Sequence, residues 1–236
     1  MIKALNAVDV PNDLMEQRLT LMRQSIDADY VLDLHCDQEA CFHHYASTIR
    51  PETAELLGRC LGSKLALICE VSGGNAFDEA HTAPWAALRR AYGDVVPAAV
   101  FATTIEYRGQ LDVDDQTAAE DAANLITFLA IEGAISKGDA TPRHDAAISC
   151  PLEGTIEVFA PFGGVLTWSA APGDRVRSGD TLVTVRDPVS RKAAAVTAPI
   201  DGIMYRRELW RSCLRGQGLA HVAGKEKLRT GDLLSD

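Results

Sequence analysis

Two side chains stand where apolar runs end and chemistry becomes feasible. His35 closes the run Tyr30-Val31-Leu32-Asp33-Leu34, and Glu106 lies in Thr103-Thr104-Ile105-Glu106-Tyr107-Arg108-Gly109. A neutral imidazole is a common zinc ligand, and a neighbouring carboxylate can fix which ring nitrogen is free to bind. A carboxylate in the same cleft can take a proton from activated water and hand it to a leaving nitrogen. Each residue also has a plainer reading: His35 as a half-buried, satisfied histidine, and Glu106 as a strand-end acid paired with Arg108. Cys36, Cys41, His43 and His44 crowd one loop and could bind zinc or a softer metal, although no pair of them has the usual ligand spacing.

The elements that must position these groups follow from periodicity. Pro11, Met15, Leu19, Met22 and Ile26 put one apolar face on a helix at about 11–27. Tyr30–Leu34 reads as a strand buried on both faces of a parallel sheet, with His35 at its carboxyl end, where open α/β sheets bind ligands. Leu65–Cys69 reads as a second strand, 76–92 as a helix and Val95–Tyr107 as a long β run. Thr117-x-x-Glu120 opens a further helix through Gly133 in capping-box fashion. Strands alternating with helices predict an α/β domain with a mainly parallel sheet over 1–136. After the turn-rich linker at 137–143, the pattern shortens to Gly154–Phe159, Gly164–Ser169, Thr181–Arg186, Ala193–Ala198, Gly202–Arg206 and Leu219–Ala223. Turn signals separate these runs, which predicts a small all-β domain over 146–236.

Bulk properties narrow the function. The 236 residues carry a net charge of −10, with 47% apolar and 24% charged residues. Residues 1–149 hold 11 Lys/Arg against 23 Asp/Glu, and residues 150–236 hold 12 against 10. The acidic half repels phosphate backbones and the other half has no basic run with aromatics, so nucleic acid is not an expected partner. Six cysteines without a Cys-x-x-Cys pair read as reduced thiols of a cytoplasmic protein. No signal peptide and no apolar stretch of ~20 residues is read, so no membrane partner is expected.

Three phrases carry a resemblance. Leu32-Asp33-Leu34-His35-Cys36-Asp37, Ser72-Gly73-Gly74-x-x-Phe77-Asp78-Glu79-Ala80 and Thr104-Ile105-Glu106-Tyr107-Arg108-Gly109 resemble the succinylglutamate desuccinylase/aspartoacylase branch of the zinc carboxypeptidase clan. The resemblance covers almost the whole length, since that branch also carries a β-domain after the catalytic one. It implies a zinc-dependent hydrolase cleaving the amide between an acyl group and an amino acid. It also implies one Zn2+, with His35 as third ligand and Glu106 as general base. The first two ligands come in that branch from an upstream His-x-x-Glu. No histidine precedes His35 here, which leaves open a truncated chain, a member without a metal site, or replacement ligands. Truncation is the simplest of these, and the expectation is then weak zinc binding and no turnover by this chain alone.

Secondary expectations concern the substrate. Arg108 could hold a substrate carboxylate, and His44, in Phe42-His43-His44-Tyr45, could line the pocket, with packing as the alternative. Asp78 and Glu79 read as helix N-terminal acids first and substrate contacts second. A homo-oligomer is compatible with all of this. The β half also resembles the biotinyl and lipoyl carrier sandwich, through Ala160-Pro161-Phe162-Gly163-Gly164 and Ala198-Pro199-Ile200-Asp201-Gly202. A carrier needs a lysine at an exposed hairpin tip, whereas Lys192 stands several residues past it. The β half is instead expected to cover the catalytic cleft.

Overall fold

The computed structural model describes residues 2–74, 76–136 and 138–233; Lys137 of the expected linker and residues 234–236 of the expected β-domain lie outside it. The order of elements is α1 (Ile2–Leu5), α2 (Asp13–Ser25), β1 (Tyr30–Asp37), β2 (Glu39–Ala40), β3 (His43–Ala46), α3 (Pro51–Leu61), β4 (Leu65–Ile68), α4 (Phe77–Tyr92), β5 (Phe101–Gly109) and α5 (Asp115–Ile131). Then follow β6 (Ile148–Pro151), β7 (Thr155–Phe159), β8 (Gly164–Trp168), β9 (Asp174–Val176), β10 (Thr181–Arg186), β11 (Ala193–Thr197), β12 (Gly202–Arg207), β13 (Ser212–Cys213) and β14 (Gly218–Ala223).

The first sheet runs β1-β5-β3-β4-β6. Its pairings are parallel except β3 with β5, so the sheet is mixed but mainly parallel. Apolar strands of this kind are covered on both faces. On one side Leu57, Leu61 and Phe128 of α3 and α5 pack against Phe101 and Ile105; elsewhere Val31 and Ala102 meet Phe77 and Trp85 of α4. β1 departs from the expected doubly buried strand. It is an edge of the sheet, and Leu34, His35 and Cys36 near its carboxyl end are exposed.

Helix α3 was not predicted, although its signals are present: Pro51 in the first turn, Ala54, Leu57 and Leu61 along one face, and Gly62 at φ +77° as the left-handed cap. Two other differences are local. The run at 95–107 begins as a 3-10 turn at Gly93–Val95, and strand geometry starts only at Phe101. α5 is capped one turn earlier than the Thr117/Glu120 pair suggested, because Asp114 Oδ1 accepts from Thr117 N at 2.8 Å.

The second half forms two antiparallel sheets, β11-β10-β8-β13 and β2-β12-β14-β7 with β9 on β12. They share one core that includes Leu166, Leu182, Val183, Met204, Leu219 and Val222. The division into halves is crossed twice. β2, from the first half, pairs with β12, and β6, from the second, extends the first sheet beside β4. Glu39 in β2 receives Arg207 and Arg211, the latter at 2.6 Å, and Asp37 meets Arg206 at 3.3 Å. Acidic residues of the first half thus hold basic residues of the second.

Leu57 is fully buried, whereas Leu111 is 74% exposed. Leu57→Ala should therefore destabilise the fold by about 2–5 kcal/mol, while Leu111→Ala stays within about 0.5 kcal/mol. Urea unfolding followed by circular dichroism measures both.

Candidate functional site

Parallel pairing of β1 with β5 sets Asp33 opposite Thr104 and His35 opposite Glu106. Alternate residues of a strand share a face, so all four side chains project to one side. There they line a cleft of about 220 Å³ whose other walls include Tyr45, Ser47, Glu70, Ser72, Asp78 and Glu79. The cleft lies toward the carboxyl ends of β1 and β5, the position expected for a site in an open α/β sheet.

Within it, His35 Nε2 lies 3.1 Å from Asp33 Oδ1. This contact leaves the other ring nitrogen as the free one, the arrangement that prepares an imidazole for a metal or a proton. Glu106 is partly buried, and its Oε2 has no hydrogen-bond partner among the described residues. Burial, and then the charge of Asp37, push its carboxyl up to about 7, against the opposing pull of His35 and Arg206. Asp78 is likewise lifted, to about 6, first by burial.

The amino end of α4 brings the other carboxylates in. Glu79 Oε1 accepts from Ser72 N at 2.5 Å, and Asp78 Oδ1 accepts from Glu79 N at 2.9 Å. Glu79 therefore ties the helix start to the preceding loop, in keeping with the helix-terminal reading, and both acids line the cleft. The loop turns through Gly73 at φ +85°, where a Cβ would come within 3.0 Å of Asp232. The backbone of Leu233 donates to Ser72 O at 2.6 Å, which fixes the loop from the far end of the chain.

Two expected substrate residues are placed elsewhere. Arg108 sits at φ +65°, which turns it from the cleft face, and it grips Asp121 of α5 at 2.8 and 2.6 Å. It stacks over Phe42 and makes no pair with Glu106. His44 is a correction of the same kind: it is fully buried in β3, with Nδ1 on Ser63 Oγ at 2.9 Å, and its neighbour Tyr45 reaches the cleft instead. Adjacent strand residues face opposite ways, so only one of the two can. Among the described residues no arginine or lysine lines the cleft.

The soft-metal alternative also dissolves. Cys41 and His43 are buried, His43 Nδ1 being held by Cys41 O at 2.8 Å, while Cys36 is exposed. Among the described residues no three His, Cys, Asp or Glu side chains are grouped to hold a metal. His35 with Asp33 fits one ligand position and its support, but these residues do not make a three-ligand zinc site. Lys192, the carrier candidate, rests over the Phe162 ring at 4.6 Å rather than standing at the hairpin tip.

No family model matches the sequence, and no curated protein matches it. Solved structures do match. A succinylglutamate desuccinylase/aspartoacylase family protein of Shewanella frigidimarina has a TM-score of 0.82 at 25% identity, over 94% of this chain and 60% of its own. One from Shewanella amazonensis gives 0.81 at 24%, over 95% and 63%. The product-bound ectoine utilization protein EutE of Ruegeria pomeroyi shares the fold, with 0.70 at 14%, over 94% and 67%. The chain thus spans about three fifths of the length of the first two.

Burial lowers His44 to about 4, which gives a stability signature. Its proton is bound more tightly in the unfolded chain, near 6.5, so stability is complete above that value and is lost as pH falls toward 4. The loss from His44 is about 2 kcal/mol between pH 8 and pH 5. Glu106 and Asp78, being raised, act in the opposite direction, so the readout is a difference. His44→Gln should flatten the acid-side fall in unfolding free energy by about that amount; an unchanged slope would contradict a buried neutral His44.

Proposed function

We infer that this chain, which belongs to the succinylglutamate desuccinylase/aspartoacylase family, supplies part of a deacylase-type hydrolase site that cleaves the amide between an acyl group and an amino acid. The observation carrying this reading is the placement of His35 directly opposite Glu106, with a buried, unpartnered carboxylate oxygen facing the cleft. A carboxyl group near 7 can accept and release a proton at neutral pH. Glu106 would take a proton from the attacking water as oxygen bonds to the acyl carbon. It would return that proton to the amino-acid nitrogen as the C–N bond breaks, leaving a carboxylate and a free amine.

Zinc belongs to the proposal through His35 as one ligand. The His-x-x-Glu that supplies the other two in the resemblance does not occur in these 236 residues, and no described group replaces it. No step is therefore assigned to the metal, and the proton transfer is what this chain's own residues would contribute. In the same proposal the second half is a β-sandwich domain that narrows the cleft. The substrate is a small N-acylated amino acid, with its carboxylate met by a group outside the cleft lining described above. No helix among the described residues is long and apolar enough to cross a membrane. A second reading is a non-catalytic binding module on the same fold, in keeping with the lack of a three-ligand group among the described residues.

Calorimetric titration of the 236-residue chain with zinc should show no tight, stoichiometric binding, and the chain should not hydrolyse N-acetyl or N-succinyl amino acids. In a longer protein that adds a His-x-x-Glu segment, hydrolysis should appear. Glu106→Gln should then lower kcat by about 10²–10⁴-fold with little change in KM. Full activity in that variant would exclude Glu106 as the base, and inactivity of the longer protein toward the whole panel would favour the binding module.

A further inference from the structure

A second cavity, of about 520 Å³, opens where the edge strand β6 meets the β9–β12 pair. Its floor is apolar, formed by Ile148, Val176, Ile200 and Ile203, and Arg175, Arg177 and Lys225 stand around it. A neighbouring hollow of about 380 Å³ shares Ile148, Arg175 and Ile203 with it and adds Lys64, so the two form one trench. Their walls share no residue with the cleft at His35 and Glu106.

The trench lining carries a small excess of cations in a chain of net charge −10. Ion pairs hold Arg50, Arg108, Arg206, Arg207 and Arg211, yet none of the four trench cations pairs with an acid among the described residues. Two acids line the main cavity, Asp201 and Glu226, and Asp145 lines the hollow. Asp201 Oδ1 is taken by Ser178 N at 2.7 Å, and the cations outnumber the acids. Beneath them, burial raises the Cys150 thiol while Lys225 and Arg175 pull it back, which places both charges close to the floor.

We propose that this trench binds a small amphiphilic anion, with its carboxylate or phosphate head between Arg175 and Lys225 and its apolar body on the Ile148–Ile200–Ile203 floor. The chemistry follows from the lining. An uncommitted guanidinium presents a planar fork to an oxyanion, and a cavity of this size with an apolar floor and few polar groups has the proportions of a small-molecule site. The proposal does not depend on the hydrolase reading.

The test uses the 236-residue chain with hexanoate and hexyl phosphate as probes, and hexan-1-ol and inorganic phosphate as controls. Binding is followed by calorimetry and by amide shifts of Gly202, Ala223 and Gly224, which line the main cavity. One or both probes should bind with a Kd below about 1 mM and shift those amides. Each control should bind about tenfold more weakly, as should the probes to the Arg175→Gln/Lys225→Gln protein, whose exposed substitutions leave the fold intact by circular dichroism. Preference for hexanoate or for hexyl phosphate identifies the head group, and either supports the site. The proposal is overturned if neither probe binds up to about 10 mM, if inorganic phosphate binds as well as hexyl phosphate, or if the double substitution leaves affinity unchanged.

Discussion

Everything in the candidate cleft depends on the register of β1 against β5. A slip of one residue would send His35 to the opposite face from Glu106, because side chains alternate with a period of two. Packing fixes that register from beneath. Ile105 and Phe101 are buried against α3 and α5, and the Thr103 hydroxyl donates to the backbone of Tyr45. The pairing breaks only after His35, where an irregularity lets Asp37 reach Arg206 and the chain leave for the other half. The cleft is thus built on the last regular residues of its strand.

Electrostatics divide the molecule by task. Around the cleft, burial favours the protonated forms of Asp78 and Glu106. Arginines are used elsewhere, as clamps: Arg50 on Glu132, Arg108 on Asp121, and Arg206, Arg207 and Arg211 along the seam with the second half. A charge-assisted guanidinium–carboxylate hydrogen bond is directional as well as strong, which suits it to fixing one element against another. The trench cations take no part in these clamps.

Much of this was legible in the sequence because local periodicity and global packing agree. Thr181–Arg186 was read to the residue, and α2, α4 and β5 were found with shifted ends. The strand-end positions of His35 and Glu106 were readable, since each closes an apolar run. Their direct opposition was not, because it is a pairing between segments seventy residues apart. His44 was misread for a related reason: a histidine beside an aromatic looks accessible until its strand is known to be central. Arg108 was lost to a single backbone angle, and a positive φ on an arginine leaves no trace in composition or spacing. The edge position of β1 could not be read from an apolar run that is equally at home inside a sheet.

The two crossings of the chain between halves have a consequence for cooperativity. Residues 39–40 complete a sheet of the second half and 148–151 complete the sheet of the first, so each half lends the other a strand. Such lacing means that one sheet in each half takes a strand from the other, while β11-β10-β8-β13 lies wholly within the second half. A cut in the connecting segment near 140 would leave two fragments stitched together noncovalently, and the intact chain is built to melt in a single step rather than as two independent modules.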